Sequence, residues 1–527
     1  MQLQLPVTTL HILNTLQNAG HSAYIVGGAV RDIVLQHLEK DDRRLTDFDF
    51  TTDARPEEIQ ALFPESFYEN SFGTVSVTDE HLREQIGLPH HKIEEHDSRS
   101  HHPLITSERI KKVHPSLKQT LPSHHGPAQP NELVQSNIKP YEITTFRSDG
   151  AYTNHRKPES VSWGTSLEED LERRDFTMNA MAIEIPQTIV TKKIATTEDL
   201  TTLTEQEYTL HDPHHGWQDL QKRRIRTVGD PNRRFEEDAL RMLRAIRFSV
   251  QLNIQILDET FESIISHSDQ LTFVSAERIR DEFLKIIASN FPKEGIILLD
   301  ESNLLKHILP ELLAAKGVEQ GGHHTTDVWT HLLDALAECP SPDPIVRLAT
   351  LLHDIAKPDT YAQRAGSITF YSHEVIGART AKRIATRLRL SRQDTDRLFI
   401  LVRYHMFHYQ PDQSDAAIRR FMRKVGMENL NDILDLREGD RLGSGARKTS
   451  WRLEEMKERM IQQLDQPFSI TDLHITGTDL MTELKLKPGK IIGETLQHLL
   501  ELVLENPEHN SRDTLLKQAE KFLKSKN

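Results

Sequence analysis

AYIVGGAVRDIVLQHL (residues 23–38) and TDFDFT (46–51) set the architecture of the N-terminal part of this chain. The apolar run from Ala23 to Val26 predicts a buried strand, and a helical pattern follows at once across Gly27-Gly28. Glycine in such a turn lets backbone N–H groups approach a phosphate, whose negative charge the helix N-terminus favours. The sequence therefore predicts a strand–turn–helix unit with an anion site, although steric needs alone also place glycines in such turns.

The second predicted strand, 46–51, carries two carboxylates one residue apart. Side chains alternate along a strand, so Asp47 and Asp49 are expected to share one face. Two carboxylates on one face repel each other unless a cation lies between them, and Mg²⁺ takes such oxygen ligands together with substrate phosphates. This spacing suits a magnesium site of the kind used in two-metal nucleotidyl transfer, and a solvated acidic turn is the alternative. Glu142, on the later predicted strand YEITTFR (141–147), is a third acidic candidate that either binds metal or pairs with an arginine.

Composition excludes several classes of protein. The chain has 527 residues, a formal net charge of -14 and a mean hydropathy of -0.54. No stretch approaches the roughly 18 apolar residues that a membrane span needs, and the N-terminus lacks the features of a secretory signal. The single cysteine, Cys339, allows neither an intrachain disulfide nor a cysteine–zinc cluster. We expect a reduced, cytoplasmic protein of three or more domains, with no membrane partner.

Residues 79–140 interrupt this pattern. They hold nine of the 28 histidines, several prolines and no lasting apolar periodicity. This composition predicts a disordered or loosely ordered insert, with metal or RNA binding as the alternative to a solvated loop. From about residue 165 the chain is predicted to be mainly helical, with helical apolar spacing in 233–252, 275–289, 327–338, 345–357, 373–390, 392–406 and 414–425.

The first of these helices is dense in charge. Asp238, Arg241, Arg244 and Arg247 recur every three residues and are expected to form one row. Such a row is either a solvated face with internal ion pairs or a surface that recognises base edges and triphosphate by planar hydrogen bonds. Lys222 to Arg247 holds nine basic and four acidic residues, a basic strip in an acidic chain.

Several long motifs, in a fixed order, resemble those of the class II tRNA nucleotidyltransferases, the CCA-adding enzymes, and of their relatives the bacterial poly(A) polymerases. The matching strings are VGGAVRD (26–32), DFDF (47–50), YEITTFRSDGAYTNHRKPESV (141–161), EEDLERRDFTMNA (168–180), DPHHGWQDLQKRRIRTVGDPNRRFEEDALRMLRAIRF (212–248) and SAERIRDEFLKI (275–286). The resemblance implies an α+β fold, in which a polymerase-β-like head with a small mixed sheet precedes all-helical neck, body and tail domains. The implied boundaries are 1–164 for the head with its insert, 165–252 for the neck, 253–320 for the body, 321–445 for an HD domain and 446–527 for the tail.

The resemblance also implies site residues and partners. Gly28 and Arg31 would contact the phosphates of the incoming nucleotide, and Asp47 and Asp49 would bind catalytic Mg²⁺. The other implied nucleotide-binding residues are Arg174, Asp175, Glu237, Asp238, Arg241, Arg244 and Arg247. Asp238 and Arg241 would pair with C or A in place of a nucleic-acid template, which makes CTP, ATP and tRNA the partners. An Arg–Asp unit rejects G and U because their donors and acceptors stand in the reverse order and buried polar groups would stay unpaired.

A second motif set lies in residues 321–445. His331, His353-Asp354 and Asp440, with LLHDIAKP (351–358) intact, resemble the HD-domain phosphohydrolases, and His373 and His405 lie where some of these bind a second metal. Imidazole and carboxylate ligands suit a divalent transition metal that activates water toward a phosphate ester. The alternative is an HD scaffold retained without hydrolysis.

Several functions remain open on the sequence alone. CCA addition leads, followed by a poly(A) polymerase and by an enzyme that adds only A or only CC. A non-catalytic RNA-binding protein is the alternative of another class, and a regulatory nucleotidyltransferase is disfavoured because no ligand-sensing module follows the HD motifs. The insert at 79–140 replaces the family's short hairpin link and bears on the switch from C to A addition. The tail is expected to help hold the tRNA elbow.

Overall fold

The computed structural model describes residues 2–526 with gaps. The residues left out are 41–44, 46, 69–72, 90–139, 150–151, 154–156, 159–160, 164–165, 195–199, 322–325, 365–366 and 408. The described chain forms two compact units, one that ends at Pro310 and one that begins at Glu311. Within the described residues, no helix has both the length and the hydropathy to cross a bilayer.

A seven-stranded mixed sheet organises the first unit. Its strands are β2 (Ala23–Val26), β3 (Asp49–Thr52), β4 (Phe67–Tyr68), β5 (Thr74–Val77), β6 (Tyr141–Thr145), β11 (Ala182–Glu184) and β13 (Thr209–His211), in the order β13-β11-β2-β3-β6-β5-β4. β3 and β6 run parallel, and the other described neighbours are antiparallel. The apolar side chains of β2, β3 and β6 are buried, which accounts for the strand positions.

Shorter strands pair outside this sheet. They are β1 (Leu3–Pro6) with β12 (Leu200–Leu203), β7 (Arg147–Asp149) with β10 (Val161–Trp163), β8 (Tyr152–Thr153) with β9 (Lys157–Pro158), β14 (Arg224–Ile225) with β15 (Gln255–Ile256), and, in the second unit, β16 (Ala362–Arg364) with β17 (Ser367–Thr369).

The α-helices of the first unit, α1 to α13, surround and follow the sheet. They are Val7–Asn18, Gly28–Glu39, Pro56–Leu62, Asp79–Gln85, Leu167–Glu172, Gln187–Ile194, Gly216–Gln221, Pro231–Glu237, Leu240–Leu252, Asp258–His267, Ala276–Ile287, Pro292–Glu301 and Leu305–Ile308. The α+β class with a small mixed sheet and a mostly helical remainder is confirmed. The sheet, however, takes strands β11 and β13 from beyond residue 164, because the short apolar run at 180–185 is buried as a strand.

The predicted insert begins later than residue 79. Residues 79–85 form helix α4, whose N-terminus is capped by the Thr78 hydroxyl. Arg83 is buried and donates to Asp79 at 2.9 Å, and the Tyr141 hydroxyl donates to the same carboxylate at 3.2 Å. The prediction of a loose insert is therefore wrong for this first segment, because these polar groups satisfy each other locally. Residues 90–139 of the predicted insert lie outside the described residues.

The second unit is helical apart from the β16–β17 hairpin. Its α-helices, α14 to α25, are Pro310–Leu313 (at the boundary), Val328–Glu338, Pro344–Leu352, Lys357–Thr360, His373–Arg387, Arg392–Tyr404, Asp415–Val425, Leu430–Gly443, Trp451–Gln463, Gly477–Glu483, Lys490–Glu505 and Arg512–Lys526. Each helix predicted between 327 and 425 is present, within a few residues of its expected ends. The buried Arg419 donates to the backbone carbonyls of Leu504 and Glu505, which ties α20 to the C-terminal end of α24.

Candidate nucleotidyl-transfer site and candidate metal centre

The glycine turn closes against a carboxylate and a guanidinium group. Gly27 has a φ of +70°, in the left-handed region that glycine adopts without strain. A Cβ atom at this position would lie 2.9 Å from Arg174 Nη1 and 3.5 Å from Asp49 Oδ2. The turn therefore brings Asp49 and Arg174 to the N-terminus of α2, where backbone N–H groups favour an anion.

Asp49 is the first residue of β3, and the other two acidic candidates are placed differently around it. Glu142 pairs with Asp49 in parallel register, so both side chains point to the same face of the sheet. Asp47 is exposed and precedes the strand, so the prediction that both aspartates lie on one strand is wrong. Among the described residues, Asp47, Asp49 and Glu142 do not form a group whose three ligand atoms all lie within 4.8 Å of one another.

Arg173 and Arg174 are oriented by a buried carboxylate that sequence reasoning missed. Asp170 accepts from Arg174 Nη2 at 3.0 Å and from Arg173 Nε at 3.1 Å. Burial alone would raise the pKa of Asp170, but the two guanidinium groups hold that pKa below its ordinary value. Asp170 therefore stays ionised and holds Arg174 beside the glycine turn.

Asp175 connects the same motif to helix α9. Its Oδ2 atom accepts from Arg244 Nε at 2.6 Å, and its Oδ1 atom accepts from Asn179 Nδ2 at 3.2 Å. Burial opposes ionisation, yet Arg244 and Arg241 lower the pKa of Asp175 to about 2. The carboxylate is a fixed, charged acceptor at neutral pH.

An aromatic ring joins three of the predicted arginines. The guanidinium carbons of Arg31, Arg244 and Arg247 lie 5.1, 5.3 and 4.3 Å from the centroid of the Phe248 ring. Arg31 also donates to Asn179 Oδ1 at 3.1 Å. Cation–π contact at a buried ring holds like charges close together. The structure thus brings Arg31 of helix α2 and two arginines of helix α9 to one place.

Arg247 is further held by a carboxylate of helix α11. Its Nε atom lies 3.2 Å from Glu282 Oε2, and both side chains are buried. Burial lowers the pKa of Arg247 to about 10, although Glu282 works in the opposite direction. Arg247 remains a cation at neutral pH.

The predicted continuous helix 233–252 is broken at the EDxxR motif. Helix α8 ends at Glu237, Asp238 has an extended backbone with φ -147° and ψ 104°, and α9 begins at Leu240. The prediction that Asp238 forms one helical row with Arg241 and Arg244 is therefore wrong. Asp238 stands in the break, and its Oδ1 atom accepts from the backbone N–H of Leu240 at 3.1 Å.

Separate partners hold the two residues predicted to select the base. Arg278 of helix α11 donates to both oxygens of Asp238, at 2.6 and 3.3 Å. Arg241 donates to Glu237 Oε2 at 2.6 Å and to the backbone carbonyl of Arg173 at 3.1 Å. Bidentate arginine–carboxylate contacts fix geometry strongly. The site residues that sequence reasoning missed are Asp170, Asn179, Phe248, Arg278 and Glu282. All five stand inside the motif strings 168–180, 212–248 and 275–286, which could have drawn attention to them.

The HD motif residues form a second cluster, in the second unit. His331 lies on α15 and Asp440 on α21, while His353 and Asp354 directly follow α16. The Nε2 atom of His331 lies 3.4 Å from Asp354 Oδ2 and 3.4 Å from Asp440 Oδ1. The Nε2 atom of His353 lies 3.2 Å and 3.6 Å from the same two oxygens. The four predicted ligands therefore converge on one point.

The other oxygen of Asp354 faces the remaining two histidines. Its Oδ1 atom lies 3.1 Å from His373 Nε2 and 3.6 Å from His405 Nε2. Both nitrogens are buried and face this one carboxylate oxygen. Two groups of potential ligands thus adjoin through one carboxylate, His331–His353–Asp440 and Asp354–His373–His405.

Backbone carbonyls orient three of the imidazole rings. The Nδ1 atoms of His353, His373 and His405 lie 2.7, 2.7 and 2.8 Å from the carbonyl oxygens of Thr350, Phe370 and Val402. Each Nδ1–H donates to the carbonyl three residues upstream and leaves Nε2 as the inward ligand. These rings are thus pre-oriented for a metal ion.

The charges of the cluster suit a cation. Burial alone would lower the pKa of His353, but Asp354 and Asp440 raise it to about 10. Burial would raise the pKa of Asp354, yet His353 and Lys357 hold it well below its ordinary value. Metal binding is therefore expected to release protons from the histidines. The donor set, four imidazoles and two carboxylates, fits divalent transition metals.

Comparison with protein families matches most of the chain in three sections. The poly A polymerase head domain matches residues 23–121 and 104–226. The "Probable RNA and SrmB- binding site of polymerase A" matches residues 253–316, and tRNA nucleotidyltransferase domain 2 matches residues 376–519.

The curated relatives are named as A-adding or CCA-adding enzymes. The A-adding tRNA nucleotidyltransferase of Deinococcus radiodurans is 34% identical over 64% of this chain and 75% of its own length. The CCA-adding enzymes of Anoxybacillus flavithermus and Geobacillus thermodenitrificans are 34% and 36% identical over 58% of this chain. The chain spans just over half the length of these two relatives, 56% and 55%.

Solved structures share the fold. The CCA-adding enzyme of Bacillus stearothermophilus in complex with CTP aligns over 98% of both chains with a TM-score of 0.61 and 23% identity. An apo CCA-adding enzyme aligns over the full length of both chains with a TM-score of 0.52 and 17% identity. One of these relatives is named a tRNA nucleotidyltransferase, is 34% identical to this chain and is covered over three quarters of its length. The chain therefore belongs to the tRNA nucleotidyltransferase family.

Proposed function

We propose that this tRNA nucleotidyltransferase adds C, C and A to the 3′ end of tRNA from CTP and ATP without a nucleic-acid template. The observation that carries the proposal is the approach of Asp49 and Arg174 to Gly27 at the start of a helix. A carboxylate and a cation beside an anion-binding turn are what a nucleoside triphosphate and its metal require. The family supplies the reaction class.

Each group at the turn has a distinct task in this proposal. Asp47 and Asp49 would hold Mg²⁺, which when bound supplies activation of the tRNA hydroxyl and charge neutralisation on the leaving pyrophosphate. Arg31 and Arg174 bind the triphosphate beside the N–H groups of α2. Asp175, ionised and fixed by Arg244, accepts a hydrogen bond from the ribose. Glu142, on the neighbouring strand β6, would be a third carboxylate beside Asp49.

Base selection falls to Asp238 and Arg241. Arg241 donates and Asp238 accepts, so the pair matches a base edge with an acceptor beside a donor, as C and A present. G and U present the reverse order and would leave buried groups unpaired, which costs about 1–3 kcal/mol for each group. Glu237, Arg244 and Arg247 complete the nucleotide-binding set from the same two neck helices.

RNA would meet the exposed basic side chains of the segment from Lys222 to Arg247, which are Lys222, Arg223, Arg224 and Arg233. Nine basic and four acidic residues give this segment a local positive charge, and phosphate neutralisation dominates RNA affinity. The tail domain would add a second contact to the tRNA. We place the reaction in the cytoplasm, because the free thiol of Cys339 is buried and no disulfide is needed.

A second candidate function is addition of A alone. The observation that favours it is the relative of Deinococcus radiodurans, which is named A-adding and covers more of this chain than the CCA-adding relatives cited above. Addition of CC alone and poly(A) synthesis would each give a different product, and RNA binding without catalysis would give none. One incorporation assay therefore separates these three functions from CCA addition and from addition of A alone.

The assay uses purified full-length protein and three tRNA transcripts, one that lacks CCA, one that lacks only the terminal A and one that is complete. With labelled CTP and ATP, we expect two C residues and one A on the first transcript, one A on the second and none on the third. Incorporation of A on the second transcript alone supports A addition, incorporation of two C residues without A supports CC addition, and runs of A on any transcript support the polymerase. Binding without incorporation would overturn the proposal.

We further propose that the cluster around Asp354 is a metal-dependent phosphohydrolase site. His331, His353, Asp354 and Asp440 would hold one divalent transition metal, and Asp354, His373 and His405 would hold a second. Bound metal supplies an activated water, while Lys357, whose Nζ atom lies 2.7 Å from Asp354 Oδ2, would bind the phosphate.

Metal analysis and phosphate release test this second site. Protein reconstituted with Ni²⁺, Co²⁺ or Mn²⁺ should retain metal through gel filtration and release phosphate from phosphate esters. His353→Ala should lose both properties and keep CTP and ATP incorporation. Retained metal with no hydrolysis of any ester would support a scaffold without this activity.

A further inference from the structure

We propose that the hairpin next to the candidate metal centre is a nucleobase-stacking subsite, so that this centre acts on nucleoside phosphates. The ligand is a base carried on a phosphorylated ribose, either a free nucleotide or the 3′ end of an RNA. The proposal rests on the phosphohydrolase function proposed above. Its residues are Tyr361, Arg364, Phe370 and Tyr371, none of which is a predicted metal ligand.

The hairpin is attached directly to the ligand cluster. Strands β16 and β17 pair from Ala362↔Thr369 to Arg364↔Ser367. Phe370 follows β17, and its backbone carbonyl accepts the Nδ1–H of His373 at 2.7 Å. The backbone that carries the aromatic side chains therefore also orients a ligand.

One ammonium group connects the ring of Phe370 to the metal-facing carboxylate. Lys357 Nζ lies 2.7 Å from Asp354 Oδ2 and 5.3 Å from the Phe370 ring centroid. The same nitrogen also donates to Gln320 Oε1 at 2.5 Å, which fixes its position between the two. A phosphate held at Lys357 would thus have an aromatic surface beside it.

Further aromatic surface is exposed beside this position. The ring centroids of Tyr361 and Phe370 lie 5.9 Å apart in an edge-to-face arrangement, and Tyr361 is 41% exposed. Tyr371 is 70% exposed and has the guanidinium carbon of Arg364 5.7 Å from its ring centroid. Large exposed aromatic side chains that cluster together mark a binding surface.

The side chains of this surface favour a ligand that carries a nucleobase. Flat rings flanked by cations stack nucleobases, each stacked base contributing about 1–3 kcal/mol, without regard to base identity. A sugar phosphate without a base would use Lys357 and leave both tyrosines in water. We therefore expect binding to gain from the base and to be tolerant of which base it is.

A local reporter tests binding without relying on hydrolysis. Tyr371→Trp in Zn²⁺-loaded full-length protein is titrated with adenosine 3′-monophosphate, ribose 5-phosphate and an RNA trinucleotide that ends in a 3′-phosphate. The wild-type titration, which reports the four native tryptophans, is subtracted. We expect the nucleotide and the trinucleotide to change the fluorescence and ribose 5-phosphate to leave it unchanged. The tighter of the two binders identifies the source of the ligand.

Tyr361→Leu in the reporter protein should weaken base-dependent binding about tenfold, as expected for one lost stacking contact. The control, Phe273→Leu, removes another exposed aromatic side chain, from the first unit, and should change nothing. An equal response to ribose 5-phosphate, or no response to either base-bearing ligand, would overturn the subsite.

Hydrolysis separates this inference from the function on which it rests. With Ni²⁺-loaded protein, Tyr361→Leu should raise KM for adenosine 3′-monophosphate about tenfold, leave kcat unchanged and leave glycerol 2-phosphate hydrolysis unchanged. A responsive reporter with no hydrolysis of either ester refutes the phosphohydrolase and keeps the subsite. Equal kcat/KM for both esters, unaffected by the substitution, refutes the subsite and keeps the phosphohydrolase.

Discussion

Arg278 orients Asp238, the predicted acceptor of the base-selecting pair, through two hydrogen bonds. Without Arg278, Asp238 would lose the contact that sets its carboxylate plane. An ion pair of this kind, partly buried, contributes about 1–3 kcal/mol. Base selection is therefore expected to depend on a residue that stands 40 positions away in the chain.

Arg278→Ala should lower kcat/KM for CTP and ATP by about tenfold and increase incorporation of UTP and GTP, because the acceptor is no longer fixed. Single-nucleotide incorporation assays measure both effects. Arg280→Ala is the matched control, since Arg280 lies on the same helix and bonds Asp281 instead. If both variants behave alike, Arg278 has only a structural role.

A second prediction concerns Asp435, on the inner face of α21. Burial, with the charges of Asp432 and Glu438, raises the pKa of Asp435 to about 7. Because this folded-state pKa lies above the unfolded value of about 4, the contribution of Asp435 to stability is full below that lower value and is lost as pH rises through the folded-state value. Asp435→Asn should therefore raise the free energy of unfolding by about 1–3 kcal/mol at pH 8 and by less at pH 5.

Thermal melts at the two pH values measure this difference. Asp432→Asn is the control, because Asp432 accepts from Arg397 Nε at 2.8 Å and its neutralisation should destabilise the protein. A larger gain for Asp435→Asn at pH 5 than at pH 8 would contradict the sign of the shift.

Residue types were predictable from the sequence where a motif carried the chemistry. The Gly27-Gly28 turn, Asp49 and Arg174 were expected at one site, and Gly27 lies beside Asp49 and Arg174. Their supports were not predicted. Asp170 pairs with Arg173 and Arg174 at the i,i+3 and i,i+4 spacings, which the sequence could have indicated. The contact of Phe248 with Arg31 is tertiary, and no local pattern records it. Contacts between side chains that are distant in the sequence form only in the folded chain.

Close helix contact shapes the candidate metal centre at the scale of the element. A Cβ atom at Gly443 of α21 would lie 2.4 Å from the backbone nitrogen of Ala335 on α15, the helix that carries His331. Gly443→Ala should therefore force the two helices apart, destabilise the protein by about 1–3 kcal/mol and weaken metal retention.

Gly493→Ala is the matched control. Gly493 is also helical, and a Cβ there would meet no described atom within 4 Å, so the change should be neutral or stabilise by up to about 1 kcal/mol. Urea denaturation and metal content after dialysis measure the pair. Equal stabilities of the two variants would show that α15 and α21 are not in close contact.

Element boundaries followed the apolar periodicity in the second unit and failed at the EDxxR motif in the first. The sequence RRFEEDALRMLRAIRF has helical spacing throughout, yet Asp238 is extended. Two contacts favour the break, because the Asp238 side chain caps the Leu240 N–H locally and Arg278 of helix α11 holds the same carboxylate. Local propensity is a weak guide where such contacts compete.

At the scale of the whole molecule, charge is unevenly distributed. The chain has a formal net charge of -14, while the segment from Lys222 to Arg247 is basic. RNA binding should therefore depend on this segment and weaken as the salt concentration rises. Residues 446–527, the predicted tail, allow a second test of RNA contact. Lys485 and Lys487 are exposed in the connection between α23 and α24.

Lys485→Glu with Lys487→Glu should weaken tRNA binding several-fold and reduce the salt dependence of binding, because two phosphate contacts are lost. KM for CTP should stay unchanged, since the nucleotide site is built from residues of the first unit. Filter binding across a salt series and steady-state kinetics measure the two quantities. Equal loss of tRNA and nucleotide binding would contradict a tail contact.

The proposed function requires that a surface of this protein selects C, C and A in order. Its most direct test is sequencing of the 3′ ends that the full-length protein makes on tRNA lacking CCA, in a mixture of all four nucleoside triphosphates. We predict molecules that end in CCA, with neither U nor G and no further extension, and none of these products with Asp49→Ala, which should still bind tRNA. Ends that carry A alone, runs of A or mixed nucleotides, or products made by Asp49→Ala, would contradict the claim.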